Sequence, residues 1–331
     1  MRRDGERGVV RLAELYAPVA ADLERAQAIL ADELISDQAF ISDLCRHVRQ
    51  FHGKLLRPAL LLLAARAVGE VRPEHPVLAA VVELVHIATL VHDDVLDEAD
   101  IRRRAATVNR LWGNERAVLM GDFLYSHAFH LCSSLPTPLA ARIVGQTAVT
   151  VCEGEMMQVA NRGNLALSEE EYLDIIGRKT AVLTETCCHL GAWYAGGDEA
   201  AVARLRTYGH SLGLAFQIVD DLLDLTGDES EAGKSLGRDL CEGELTLPVI
   251  HALRAAPPDR RAALEAALLS DEPQRGRTVG HLLRATGSLA YAEGVAREYI
   301  AAARAALADL PPSAARERLD ALAEFVVARR A

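Results

Sequence analysis

Six aspartates fall into two D-D-x-x-D clusters: Asp93, Asp94 and Asp97 in TLVHDDVLDEADIRRR, and Asp220, Asp221 and Asp224 in FQIVDDLLDLTGD. Each cluster closes a long apolar run. Carboxylates four residues apart share one face of a helix. Oxygen ligands so placed suit a divalent cation, and a site with few carboxylates and room for water and phosphate favours Mg²⁺. Without cations the six would be costly to crowd, because like charges raise one another's cost of ionisation. An exposed acidic helix end would explain one cluster. Two, both ending helices that look buried, point to a pair of metal-bearing faces that clamp a diphosphate between them.

The basic residues fit the same chemistry. Arg102, Arg103 and Arg104 follow the first cluster and can fork onto phosphate oxygens. Of 36 basic residues only three are lysines: Lys54, Lys179 and Lys234. HGKLLRP puts Lys54 and Arg57 at a helix start, where backbone N–H groups also favour anions. GRKTA places Lys179 and Thr180 at a second helix start, and EAGKSLG places Lys234 in a polar loop. His86 precedes Asp93 by two helical turns on the same face, and Gln217 stands one turn before Asp220 and Asp221.

The elements that must hold these residues are helices. Ala and Leu recur at three- and four-residue spacings, and aromatics are only 5% of the chain. The pattern predicts helices over roughly 8–33, 38–50, 55–68, 76–98, 105–132, 138–160, 168–176, 178–195 and 198–226, with four or five more from about 246 onward. No linker rich in Ser and Gly divides the 331 residues, so one domain over 1–331 is expected. The polar stretch from Thr226 to Leu245 is long enough to be a functional loop. A net charge of −11 argues against nucleic-acid binding. None of the six cysteines forms a C-x-x-C pair, and most sit in apolar stretches, which reads as buried thiols in a reducing compartment. The apolar runs around Leu55–Val68 and Val77–Val91 are short and carry Arg, Glu or His, so no transmembrane segment is expected. The N-terminus lacks an apolar signal core. Together these features predict a soluble, cytoplasmic protein.

Over nearly its whole length the chain resembles the trans-isoprenyl diphosphate synthases, or polyprenyl synthetases. HDDVLDEADIRR at 92–103 is similar to the first aspartate-rich motif of that family, and FQIVDDLLDLTGD at 216–228 with GKSLGRDLCEGELTLP at 233–248 to the second. The GK…RP element at 53–58, ELVHIATLVHDD, LWGNERAVLMGDFL, CEGEMMQ and KTAVL complete the resemblance. It implies an all-α bundle around a central cavity, a homodimer, and a prenyltransferase dependent on up to three Mg²⁺ ions. It implies that Asp93, Asp94, Asp97, Asp220, Asp221 and Asp224 hold metal, and that Asp93, Asp94, Asp97, Asp220 and Asp221 act in catalysis with Lys179 and Lys234. Arg102, Lys179, Thr180, Gln217 and Lys234 would hold an allylic diphosphate. Lys54, Arg57, His86 and Arg103 would hold isopentenyl diphosphate.

Product length in this family follows from bulk below the first cluster. Ala88, five residues before Asp93, leaves that path open, and Phe129 is a candidate floor. The resemblance therefore implies a long all-trans product of octaprenyl or nonaprenyl type, such as a quinone side chain, grown from farnesyl or geranylgeranyl diphosphate. Peripheral contact with a membrane for its release would be in keeping. The alternatives are a short-chain farnesyl or geranylgeranyl diphosphate synthase and a non-catalytic subunit of a heteromeric synthase. A class I terpene cyclase would not need the second cluster or the Lys54, Arg57 and His86 pocket, and a squalene-synthase-like condensing enzyme fits less well. Two positions depart from the family. Glu244 stands where lysine is usual, so Glu244→Lys is expected to raise allylic affinity or leave it unchanged. Arg104 and Ala106 stand where Gly and Pro are common, so the loop after the first cluster is expected to differ in shape.

Overall fold

The computed structural model describes residues 12–51, 53–103, 105–226, 237–270 and 275–328. In chain order it runs α1 (Leu12–Tyr16), α2 (Ala20–Glu33), α3 (Ala39–Val48), α4 (Leu56–Val68) and α5 (Glu74–Leu96). A two-stranded antiparallel hairpin follows, β1 (Ile101–Arg102) and β2 (Ala105–Ala106). Then come α6 (Val108–Trp112), α7 (Asn114–Ser133), α8 (Leu139–Ala160), α9 (Glu169–Ile176), α10 (Val182–Tyr194) and α11 (Glu199–Thr226). The chain continues through α12 (Arg238–Glu242), α13 (Leu247–Ala255), α14 (Pro258–Leu268), α15 (Arg275–Ala285), α16 (Ser288–Leu307) and α17 (Ala314–Ala328). The fold is all-α, as expected. Lys234 and Arg104 lie outside the described residues.

Burial explains the two helices that matter most to the site. α4 has Leu60, Leu61, Leu62 and Leu63 fully buried, each contributing about 2 kcal/mol of transfer free energy. Pro58 sits in its first turn, where no intrahelical N–H is lost. α5 is apolar on all sides and buried along most of its length. It is long and apolar enough to cross a membrane, yet 72% of its apolar window is buried within the protein. α5 packs on α7 and α2, α4 on α10, α10 on α11, and α11 on α16. The acidic and basic segments are thus anchored to rigid neighbours.

The α4–α10 contact depends on one small residue. A Cβ on Gly191 would fall on the carbonyl oxygen of Leu61, and the Gly191 carbonyl itself receives His75 Nε2 at 3.0 Å. Backbone cannot move aside as a side chain can. Gly191→Ala is expected to destabilise the protein by about 3 kcal/mol, as overpacking does, and thermal unfolding will show it as a lowered midpoint.

The structure corrects the predicted elements in three places. The helix expected over 105–132 is instead β2, α6 and α7, because the chain turns at Gly113, whose φ of 86° only glycine adopts without strain. Lys179 and Thr180 do not open a helix. They sit in a π-helical segment, Gly177–Ala181, that joins α9 to α10 without a break, so no free backbone N–H groups are presented there. The helix expected from 8 is broken at Ala17–Val19, a 3-10 turn around Pro18. Of the cysteines, four are buried as expected, while Cys152 and Cys241 are exposed.

Candidate active site

One cavity of about 700 Å³ gathers most of the chemistry. α5 contributes Glu83, His86, Thr89, Leu90 and Asp93, a spacing that keeps them on one side of the helix. Across from it stand Phe216, Gln217 and Asp220 of α11, with Lys179 and Thr180 of the π-helical segment and Val151 and Glu155 of α8. Gly53, Lys54 and Arg57 arrive from the start of α4, and Arg102 and Arg103 from the hairpin. Leu12, Tyr16, Leu322 and Phe325 close the basic end.

The six aspartates divide by facing. Asp93 and Asp220 line the cavity. Asp97, at the end of α5, accepts from Arg162 Nη2 at 3.0 Å and from Arg238 Nη2 at 3.3 Å. Asp94 is buried and turned aside, with Arg102 Nε donating to its Oδ1 at 2.6 Å. Asp221 is also buried and accepts from the Tyr172 hydroxyl at 2.6 Å and from Gln217 Nε2 at 2.8 Å. Asp224 accepts the backbone N–H groups of Arg238 and Asp239, both at 3.2 Å. Oxygens of Asp97, Glu242 and Glu244 lie within 4.8 Å of one another. At 4.8 Å two unit charges repel by about 3.5 kcal/mol at an effective dielectric constant of 20, a cost that Arg162 and Arg238 offset by pairing with Glu244 and Glu242.

Burial pushes the Asp93 carboxyl up to about 7; Lys179 opposes that rise, while Glu155 and Asp97 add to it. Burial likewise pushes Asp221 up to about 7, against the hydrogen bonds from Tyr172 and Gln217. Carboxylates held this far from water and this near one another fit a site that takes a cation. Burial lowers Lys179, but Asp93 and Glu155 more than reverse it and hold the ammonium firmly protonated; Nζ lies 2.8 Å from Glu155 Oε1. Thr180 donates to Gln217 Oε1 at 2.8 Å.

The other end of the cavity is basic. Arg57 is half-buried and interacts electrostatically with Glu83, and its Nε is out of contact with solvent. Burial, then Arg57, Arg103 and Arg102, push His86 well below its ordinary value, so it is neutral at pH 7. Burial raises Glu83 against the pull of Arg57 and Arg103. Backbone strain aims these groups. Leu55, Glu98 and Arg103 have φ near +50°, unusual for residues with a Cβ, and all three adjoin site residues. A Cβ on Gly53 would displace the Arg103 guanidinium, which donates to the Phe51 carbonyl.

Residues 38–285 match the family described as polyprenyl synthetase. The chain is 37% identical over 324 residues to an octaprenyl diphosphate synthase of Escherichia coli, covering 97% of this chain and 99% of that one. The chain belongs to the polyprenyl synthetase family. A short chain isoprenyl diphosphate synthase of Methanothermobacter thermautotrophicus is 36% identical, over 93% of this chain and 98% of its own. Among solved structures, a polyprenyl synthase of Caulobacter crescentus, complexed with calcium and isoprenyl diphosphate, superposes with a TM-score of 0.90 at 36% identity and full coverage of both chains. Its relatives are prenyl diphosphate synthases, which are transferases.

Among the described residues, the polyprenyl synthetase motifs therefore meet in one cavity, apart from the buried Asp94 and Asp221 and from Asp97 and Asp224, which do not line it. Two residues expected along a tunnel lie outside this cavity's lining. Ala88 is fully buried but lies outside this cavity's lining, two residues from both His86 and Leu90 and so on the far side of α5. Thr89 is on the wall instead. Phe129 is 38% exposed on the outside of α7, beside Gly145 of α8, and is no floor for this cavity. Sequence reasoning missed Glu83, Glu155, Arg162 and Arg238 as site neighbours. A glutamate inside an otherwise apolar helix was the signal for Glu83, and CEGEMMQ held Glu155.

Proposed function

We propose that this chain is a trans-prenyltransferase. It joins isopentenyl diphosphate head-to-tail to an allylic diphosphate and repeats the step to a long all-trans polyprenyl diphosphate. The observation that carries this reading is the two-ended cavity. Carboxylates with Lys179 occupy one end, and Lys54, Arg57 and Arg103 with a neutral His86 occupy the other. A single-substrate cyclase has no use for the second set.

Asp93, Asp97, Asp220 and Asp224, with Asp221 beside them, would hold Mg²⁺, in up to three ions. The metal would supply electrostatic stabilisation of the departing diphosphate. Lys179, Arg102, Thr180 and Gln217 orient the allylic diphosphate, with Lys234 assigned by motif alone. Asp94 holds Arg102 in position. Lys54, Arg57, His86 and Arg103 hold isopentenyl diphosphate so that its double bond faces the allylic carbon. The allylic C–O bond breaks with both electrons leaving on diphosphate. The double bond attacks the allylic cation, and a proton is then lost, with the released diphosphate oxygen as its acceptor. Leu90, Val151 and Phe216 keep water from the cation.

The octaprenyl relative supports a long product, and the equally similar short-chain relative supplies the second reading. Sizing the dephosphorylated product made from farnesyl diphosphate decides between them. Products of octaprenyl or nonaprenyl length are expected; a product stopping at geranylgeranyl would establish the short-chain reading. One domain spanning the chain, in a homodimer, completes the proposal. Its support is a row of exposed apolar residues on α7 and α8, including Leu119, Val149 and Met156, the last 64% exposed. Such a face commonly marks a partner surface.

A further inference from the structure

We propose that Arg162 is a further diphosphate-binding residue beside Asp97 of the first aspartate cluster, held in place by Glu244; the proposal rests on the function proposed above. Arg162 follows the end of α8, and Glu244 follows α12. Their backbones are tied together next door, where Gly163 N–H donates to the Gly243 carbonyl at 2.8 Å. Both glycines have φ above 70°, and a Cβ on Gly243 would sit 3.3 Å from Gly163 N. The two loops therefore meet at a point that only glycine fits well, and the flanking side chains are fixed by it.

Arg162 donates from Nε and Nη2 to Glu244 Oε1, at 3.4 and 3.2 Å, and from Nη2 to Asp97 Oδ1 at 3.0 Å. Its Nη1 makes none of these contacts, and its side chain is 28% exposed. Asp97 already has a second cation in Arg238. Arg162 and Arg238 together serve three carboxylates, Asp97, Glu242 and Glu244, so each keeps a glutamate partner when a divalent cation takes its place on Asp97. Once a cation sits on Asp97, Arg162 gives up that contact and Glu244 still holds its Nε. The released guanidinium edge then faces the phosphate that the cation draws to the same corner, a geometry that suits arginine's planar fork. Glu244 therefore does not repel the substrate. Its charge is committed to Arg162, and the positive charge usual at position 244 is supplied from across the gap.

The test uses the full-length protein with the non-ionising analogue farnesyl thiolodiphosphate and Mg²⁺, measured by calorimetry, and KM for each substrate. Arg162→Gln is expected to weaken analogue binding and raise the allylic KM about tenfold, the value of one charge-assisted hydrogen bond. KM for isopentenyl diphosphate should stay the same. Arg162→Gln combined with Glu244→Lys should return analogue affinity close to wild type. Unchanged binding by Arg162→Gln, or a double variant as weak as the single, would overturn the proposal. If Arg162→Gln fails to fold, the swapped pair Arg162→Glu with Glu244→Arg carries the test. Near-wild-type analogue affinity supports the inference, and a tenfold or so loss overturns it. Because binding is read without turnover, a wild type that binds the analogue but forms no product would count against the proposed function and leave this pair intact.

Discussion

Asp93→Asn is expected to lower the rate of isopentenyl diphosphate incorporation about a thousandfold, the upper range for removing one contact to a developing charge. Asparagine keeps the shape, so the loss would be electrostatic. Asp93 is the aspartate of the first cluster on the cavity wall itself, with Lys179, Glu155 and Asp97 around it. The same substitution should act on stability in the opposite sense. The folded carboxyl, at about 7, lies above its ordinary 3.8, so the native state prefers the proton. Ionisation therefore costs stability progressively as pH rises from about 4 to 7. In metal-free protein at pH 8, Asp93→Asn should unfold at a temperature equal to or above that of wild type, while at pH 4 the two should differ little. Thermal unfolding with chelator present checks the sign. A variant both inactive and less stable at pH 8 would mean that Asp93 serves the fold instead.

Arg57→Met is expected to raise KM for isopentenyl diphosphate about a hundredfold and to leave the allylic KM nearly unchanged. Arg57 is half-buried at the basic end, among Arg103, Glu83 and a neutral His86. Charge-assisted bonds from a guanidinium to a phosphate are strong, and Arg57 Nε has no protein partner competing for it. Methionine retains the stem's packing and removes the donors. Glu83 keeps Arg103 as a counter-charge, which limits the loss of stability. Steady-state kinetics with each substrate varied in turn gives the answer. Equal increases in both constants would mean the cavity does not divide into two ends.

Much of this site was legible in the sequence because it rests on helical periodicity. His86, Asp93 and Asp97 share a face by spacing alone, and so do Gln217, Asp220 and Asp224. The same rule turns Asp94 about 100° away from Asp93, toward the hairpin, where it meets Arg102. What could not be read depends on contacts distant in sequence or on local departures from regular geometry. Arg162 and Glu244 are 82 residues apart, and no local pattern pairs them. The π-helical segment at Gly177–Ala181 leaves the same residue types in place while shifting their facing. The hairpin at 101–106 has two residues per strand, too few for alternation to register. The close approaches at Gly53, Gly191 and Gly243, like the positive φ of Gly163, appear only when the facing chain segment is in place. Ala88 and Phe129 lie outside this cavity for a related reason: distance along a helix fixes depth, but only the neighbouring helices decide which side faces the cavity.

The most direct test of the central claim is whether the protein alone builds prenyl chains from two substrates. Purified protein is incubated with farnesyl diphosphate and labelled isopentenyl diphosphate, with Mg²⁺ or with chelator, and the label in extractable product is measured. The account predicts incorporation that needs both substrates and Mg²⁺ and yields linear polyprenyl diphosphate. A cyclised hydrocarbon formed from farnesyl diphosphate without isopentenyl diphosphate, or no incorporation by the chain on its own, would contradict it.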